Sequence, residues 1–168
     1  MKYINLRGLL LLCLTGILSI SQGQSTQGNP ASVRMGAARV NITPVEPVPM
    51  SGYASRTEPF TGVHDSLFAT ALYFQSPDHS LLLITADLIG YSRQFVDDTR
   101  KKISAETGIV PEHIIISAVH NHGGPVSKAY ERDVPASVEE YVEDLQKKFI
   151  AISVQASTSP VPFQMGMG

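Results

Sequence analysis

The chain is 168 residues long and 43% hydrophobic, with 13 lysines and arginines against 15 aspartates and glutamates, for a formal net charge of −2. That balance leaves no basic footprint for nucleic acid. The single cysteine, Cys13, excludes an internal disulfide.

Lys2 and Arg7 precede an apolar run from Leu9 to Leu18, and small or polar residues follow around Ser19, Ser21 and Gly23. A positive flank, a short apolar core and small residues describe a secretory signal peptide over 1–23, cleaved after Ser21 or Gly23. Its core is too short to span a membrane. The sequence therefore predicts a secreted or periplasmic protein with no integral membrane segment after processing. Cys13 leaves with the signal, and Leu12 before it speaks against lipidation. Without Lys2 and Arg7, 11 basic residues face 15 acidic ones, a net charge of −4. Residues 24–34, rich in Ser, Gln, Gly and Asn, read as a flexible leader, and about 135 residues then remain, enough for one domain with a core of its own.

Met35 to Thr43 alternates small and β-branched residues and stops at Pro44, which predicts a strand. Pro44 to Asp65 is rich in proline and reads as a long irregular loop, a kind of segment that is often functional. Leu67 to Gln75 and Leu81 to Ala86 predict two strands, with turn chemistry at Ser76-Pro77-Asp78-His79 between them, hence a hairpin. From Ser92 to Thr107, Phe95, Val96, Thr99 and Ile103 share one helical face and Gly108 closes the helix. Ile114 to Val119 is the next strand, parallel to 81–86 across a right-handed crossover. Val138, Tyr141, Val142, Leu145, Phe149 and Ile152 then form the apolar stripe of a helix from Pro135 to about Ala156. Pro160 to Gly168 reads as a strand just begun. The expected fold is α/β, a mixed sheet with flanking helices, in which 35–168 is the incomplete N-terminal part of a larger catalytic domain.

The apolar run Ile114 to Val119 ends in His120-Asn121-His122-Gly123-Gly124-Pro125. Residues two apart on a strand point the same way, so His120 and His122 are expected as neighbouring imidazoles at a strand end, either a common beginning of a metal site or a pair of surface histidines at the start of a loop. Asp87 ends the adjacent strand, where it could orient an imidazole or serve as a turn acceptor. Tyr53 and Arg56 in the proline-rich loop either touch a substrate or pack the loop, and His64 either lines a cleft or, as the commoner case, is a hydrogen-bonded loop histidine. His79 and His113 read as surface residues. No Gly-x-Ser-x-Gly elbow is present to support a serine hydrolase. A barrel-type amidohydrolase would carry its His-x-His on the first strand, whereas here three strands and a long loop precede it.

Four blocks follow one another over residues 35–126: Gly36-Ala37-Ala38-Arg39-Val40-Asn41-Ile42-Thr43-Pro44, Met50-Ser51-Gly52-Tyr53-Ala54, Gly62-Val63-His64-Asp65 with Ala69 and Ala71, and His120 to Pro125. In this order they resemble the N-terminal domain of the neutral/alkaline (non-lysosomal) ceramidase family. The resemblance implies a zinc-dependent hydrolase that cleaves ceramide to sphingosine and fatty acid. His120 resembles its zinc ligand, and His122 the residue beside the metal that assists the substrate carbonyl. It also implies that a histidine, a glutamate and a tyrosine complete the zinc site from segments past residue 168. The 168 residues alone are then expected to lack amidase activity. Val119, Asn121 and Gly123 stand where the family has Thr, Thr and Ser, and Val126 where it has glycine, departures that bear on substrate more than on metal. The expected partner is a small-molecule or lipid amide, met with transient contact at a membrane surface. Two other readings of the histidine pair are a secreted metal-dependent amidohydrolase of non-lipid substrate and a non-catalytic secreted binding module.

Overall fold

The computed structural model describes residues 33–56, 58–127, 134–164 and 166; the expected signal peptide and all but the end of the expected leader lie outside these. Alternation of buried and exposed side chains builds strands β1 (Arg34–Asn41), β2 (Phe68–Gln75) and β3 (Ser80–Ala86). β4 (Ile114–Ala118) follows after helix α1 (Arg93–Thr107), and β5 (Val161–Pro162) after helix α2 (Ala136–Thr158). They form one five-stranded sheet in the order β4-β3-β2-β1-β5. β2 and β3 are the expected antiparallel hairpin, with Ala71 opposite Ile84. β3 and β4 are parallel, from Leu82 opposite Ile114 to Ala86 opposite Ala118. The fold is thus the mixed α/β sheet with flanking helices that the sequence predicts.

One face of the sheet carries both helices. Ala38, Ala71, Tyr73, Leu82, Ile84 and Ile114 share that face and pack with Phe95 and Ile103 of α1 and Tyr141, Leu145, Phe149 and Ile152 of α2. Leu82, Ile84, Ile103, Ile114, Leu145 and Phe149 are almost wholly buried, each such side chain contributing about 1.5–3 kcal/mol through removal from water. The helical stripes are those predicted from spacing. α1 is capped at both ends by local chemistry: the Ser92 hydroxyl accepts from the Phe95 N–H, and Gly108, at φ 73°, supplies the left-handed residue that closes the helix.

Several boundaries differ from the expected ones. β1 opens at Arg34 and stops at Asn41, two residues before Thr43, because the Asn41 side chain accepts the Thr43 N–H at 2.8 Å and turns the chain out of the ladder. β4 stops at Ala118 rather than Val119. An unexpected 3₁₀ turn, Pro111–His113, leads into β4. At the far edge only Val161 and Pro162 pair with β1, a tolerable place for proline because an edge strand has unpaired N–H positions.

The proline-rich segment is irregular as expected, but it is anchored. Isolated bridges join Pro49 to Pro59 and Met50 to Pro125. A second small core, in which Val48, Val126 and Val138 are buried with Phe60 and Val134 against them, ties it to the segment after the histidines and to the start of α2.

Candidate functional site

Because β3 and β4 are parallel and end in register, the residues that follow Ala86 and Ala118 leave the same edge of the sheet side by side. They continue to pair: the Val119 N–H donates to the Ala86 carbonyl at 3.1 Å and the His120 N–H to the Leu88 carbonyl at 3.0 Å. His120 then adopts φ 62°, the one left-handed non-glycine residue among those described. Such a conformation is uncommon outside glycine and concentrates at functional sites. Nδ1 of the exposed His120 imidazole lies 2.8 Å from the Ile89 carbonyl oxygen. A carbonyl only accepts, so Nδ1 carries the proton and Nε2 keeps its lone pair, the tautomer in which an imidazole ligates a metal through Nε2.

His120 and His122 are neighbours, with ring centroids 5.3 Å apart and planes inclined at 66°. Strand alternation, the expected reason, does not bring them together, since β4 has already ended; the left-handed turn at His120 does. Asn121 shapes the turn by accepting the Gly123 N–H at 3.1 Å. His122 is half-buried under the proline-rich loop. Tyr53, 57% exposed, sets its ring edge-on to His122 at 5.2 Å, and the Arg56 guanidinium lies 5.0 Å from the Tyr53 ring centre while donating to the His122 carbonyl at 2.9 Å.

Asp87 lies at the end of β3, but its carboxylate accepts the Phe68 N–H at 2.8 Å and makes no bond to either histidine. It takes the backbone-acceptor role, and the orienting acceptor for His120 is the Ile89 carbonyl. His64 pairs with Asp65 at 2.8 Å, both fully open to solvent, at the rim of a cleft of about 400 Å³. Pro44, Met50, Phe60 and Leu67 make the cleft apolar, and Asn121 and Gly123 bring the histidine turn into its wall. His79 lies in the β2–β3 turn and His113 in the 3₁₀ turn, away from this edge.

Tyr91 packs on Phe95 and Phe149 and reaches β4. Its hydroxyl donates to the Ser117 carbonyl at 3.3 Å, and burial, with the Asp87 carboxylate adding to it, pushes its pKa far above the ordinary tyrosine value, so it acts as a neutral donor. Among the described residues no three His, Cys, Asp or Glu side chains gather where they could hold a metal. His120 suits a metal by its tautomer and exposure, but the described residues gather no donor set around it. Sequence reasoning missed Ile89, which acts through its backbone carbonyl, a group that every residue carries and none announces.

Two solved structures share this arrangement of sheet and helices. A neutral ceramidase from Pseudomonas aeruginosa superposes with a TM-score of 0.68 over 79% of this chain at 20% identity. The fold is ceramidase-like. A second structure, a ceramidase complexed with C2, superposes with a TM-score of 0.59 over 75% of this chain at 21% identity. The chain spans 22% and 20% of the length of these two ceramidases, about a fifth. No protein-family model matches the sequence. No curated protein matches it either. Within the ceramidase-like fold, two of the blocks that resemble the family, Met50 to Ala54 and His120 to Pro125, are bonded to each other through the Met50–Pro125 bridge.

Proposed function

We propose that this chain forms part of a zinc-dependent amide hydrolase of the neutral ceramidase type, with His120 as a zinc ligand and His122 as the residue that assists the substrate carbonyl. The observation that carries the reading is the His120 imidazole, exposed at the carboxyl edge of two parallel strands with Nδ1 tied to the Ile89 carbonyl and Nε2 bonded to no described residue. The ceramidase-like fold supports it. The remaining ligands come from residues other than those described. A lipid amide is the substrate class, supported by the apolar cleft beside the histidine turn. The signal-peptide pattern of residues 1–23 supports export, and no helix among the described residues is long and apolar enough to cross a membrane.

A zinc ion held by His120 and ligands outside the described residues would supply a water of pKa about 7 and a Lewis acid for the scissile carbonyl. The rest of the chemistry belongs to the chain. The Ile89 carbonyl holds the His120 proton on Nδ1 and so keeps Nε2 a ligand. The ring nitrogens of His122 bond to no described residue, which leaves an N–H to donate to the carbonyl oxygen as negative charge develops on it. One such donor typically contributes about 3 kcal/mol to the transition state, close to a hundredfold in rate. Asn121 and Gly123 face the cleft that would seat the acyl portion.

Zinc analysis of the full-length protein tests this. His120→Ala should lose most of the metal, whereas His122→Ala should keep it and lose about a hundredfold in kcat on ceramide or a simple N-acyl amide. Equal stoichiometric zinc in the parent and both variants would remove His120 from the site. Zinc without turnover would favour a binding module, and turnover of soluble amides alone a non-lipid amidohydrolase.

A further inference from the structure

The loop from Pro49 to Arg56 does more than line a cleft, because it is bonded at several points to the turn that holds His122. The Ser51 N–H donates to the Gly124 carbonyl at 3.0 Å, the Ser51 hydroxyl to the Pro125 carbonyl at 3.2 Å, and the Val126 N–H to the Pro49 carbonyl at 2.9 Å. Gly52 passes so near the histidine that a Cβ there would stand 2.5 Å from the His122 Cβ, and its φ of 109° is one that side chains rarely adopt. The loop thus meets His122 with bare backbone.

Arg56 closes this contact. One of its terminal nitrogens donates both to the Ser51 carbonyl at 3.3 Å and to the His122 carbonyl at 2.9 Å, while the guanidinium lies by the Tyr53 ring that stands edge-on to the His122 imidazole. No carboxylate among the described residues pairs with it. One nitrogen therefore serves two backbone acceptors while the planar group lies by an aromatic ring, a combination that lysine, lacking the plane, reproduces only in part. Arg56 thus reaches the main chain of His122 directly and its ring by way of Tyr53.

We propose that Arg56 is a positioning residue for His122, acting through its carbonyl and through Tyr53, and that it leaves His120 untouched. This rests on the reading of His122 as the group facing the substrate carbonyl. His120 has its own supports, the Leu88 and Ile89 carbonyls, so the two histidines are held by separate parts of the chain.

The test uses full-length protein with labelled histidine, read by NMR, beside zinc content and kcat. In the parent the ring current of Tyr53 should displace the His122 ring signals from free-histidine positions. Arg56→Ala should move them toward those positions while the ring nitrogen signals of His120 still report a proton on Nδ1, with zinc within twofold of the parent and kcat reduced by on the order of tenfold or more. Guanidinium ion at millimolar concentration should restore part of both. Arg56→Lys keeps the charge and stem, so it guards against a folding defect; it should shift the His122 signals in the same direction. If folded Arg56→Lys and Arg56→Ala leave the His122 signals in place, the proposal is overturned whatever the enzyme does. If the signals move as expected in a protein that neither binds zinc nor turns over amides, positioning stands and the hydrolase reading fails.

Discussion

His120 at φ 62° combines two features that a simple strand end would lack, a left-handed backbone and a ring proton held by the Ile89 carbonyl. For an L-residue that backbone costs roughly 1–2 kcal/mol, a cost glycine does not share. A structural and a ligating role for this residue therefore predict different substitution patterns. His120→Gly should be more stable than His120→Ala, by about 1 kcal/mol after allowing for glycine's greater freedom in the unfolded chain, yet both should lose zinc. Urea melts beside metal analysis check it; a glycine variant no more stable than the alanine one would show that the turn carries no strain. At the same scale His64, paired with Asp65 in solvent, is legible only as a cleft-rim residue, and Asp87 as an anchor for the start of β2.

At the scale of elements, α2 crosses β1 so closely at Gly36 that a Cβ there would stand 1.8 Å from the Ala156 carbonyl oxygen. Neither partner can yield cheaply, since both are backbone of packed elements. Gly36→Ala should therefore lift α2 from the sheet and destabilise the protein by about 3 kcal/mol, at the upper end of what overpacking typically does. Thermal unfolding checks this, and an unchanged midpoint would mean that α2 sits farther from β1. At the start of α1 the effect is smaller: Ser92→Ala removes the acceptor for the Phe95 N–H and should lower stability by about 1 kcal/mol, measured by urea denaturation. Both helices and the β2–β3 hairpin are legible in the sequence because their signals are local. The apolar stripes repeat within two turns, and the Ser92 and Gly108 caps flank them directly. The docking of the proline-rich loop was not legible, since Met50 and Pro125 are brought together by the fold and neither residue type announces the other.

For the molecule as a whole, the two helices cover one face of the sheet, burying Tyr141 and half-burying Tyr91 against the same core. Tyr91 stacks on Phe95 and meets Phe149 edge-on, while the Tyr141 hydroxyl is buried without a hydrogen-bond partner among the described residues. Burial pushes both phenols far above the ordinary value near 10; Asp87 adds to this at Tyr91, and Tyr91 and then Asp144 at Tyr141. A folded-state pKa raised above the unfolded one contributes stability that is complete below pH about 10 and is lost as pH rises beyond it. Urea midpoints should hold steady through mildly alkaline pH and fall above about 10. Tyr141→Phe should weaken that fall and, by removing an unpaired buried hydroxyl, leave neutral-pH stability unchanged or higher by up to about 1 kcal/mol. A steeper fall in Tyr141→Phe would contradict the assignment. What the sequence determined by itself is the order and type of the main elements and the nearness of His120 to His122, because periodicity and short spacing act within a few residues. Only the tertiary structure decided which nitrogen of His120 is free, what holds His122 and where Asp87 spends its carboxylate. Those depend on the Ile89, Ser51 and His122 carbonyls and on the Phe68 N–H, backbone groups that every residue carries alike and that only folding places.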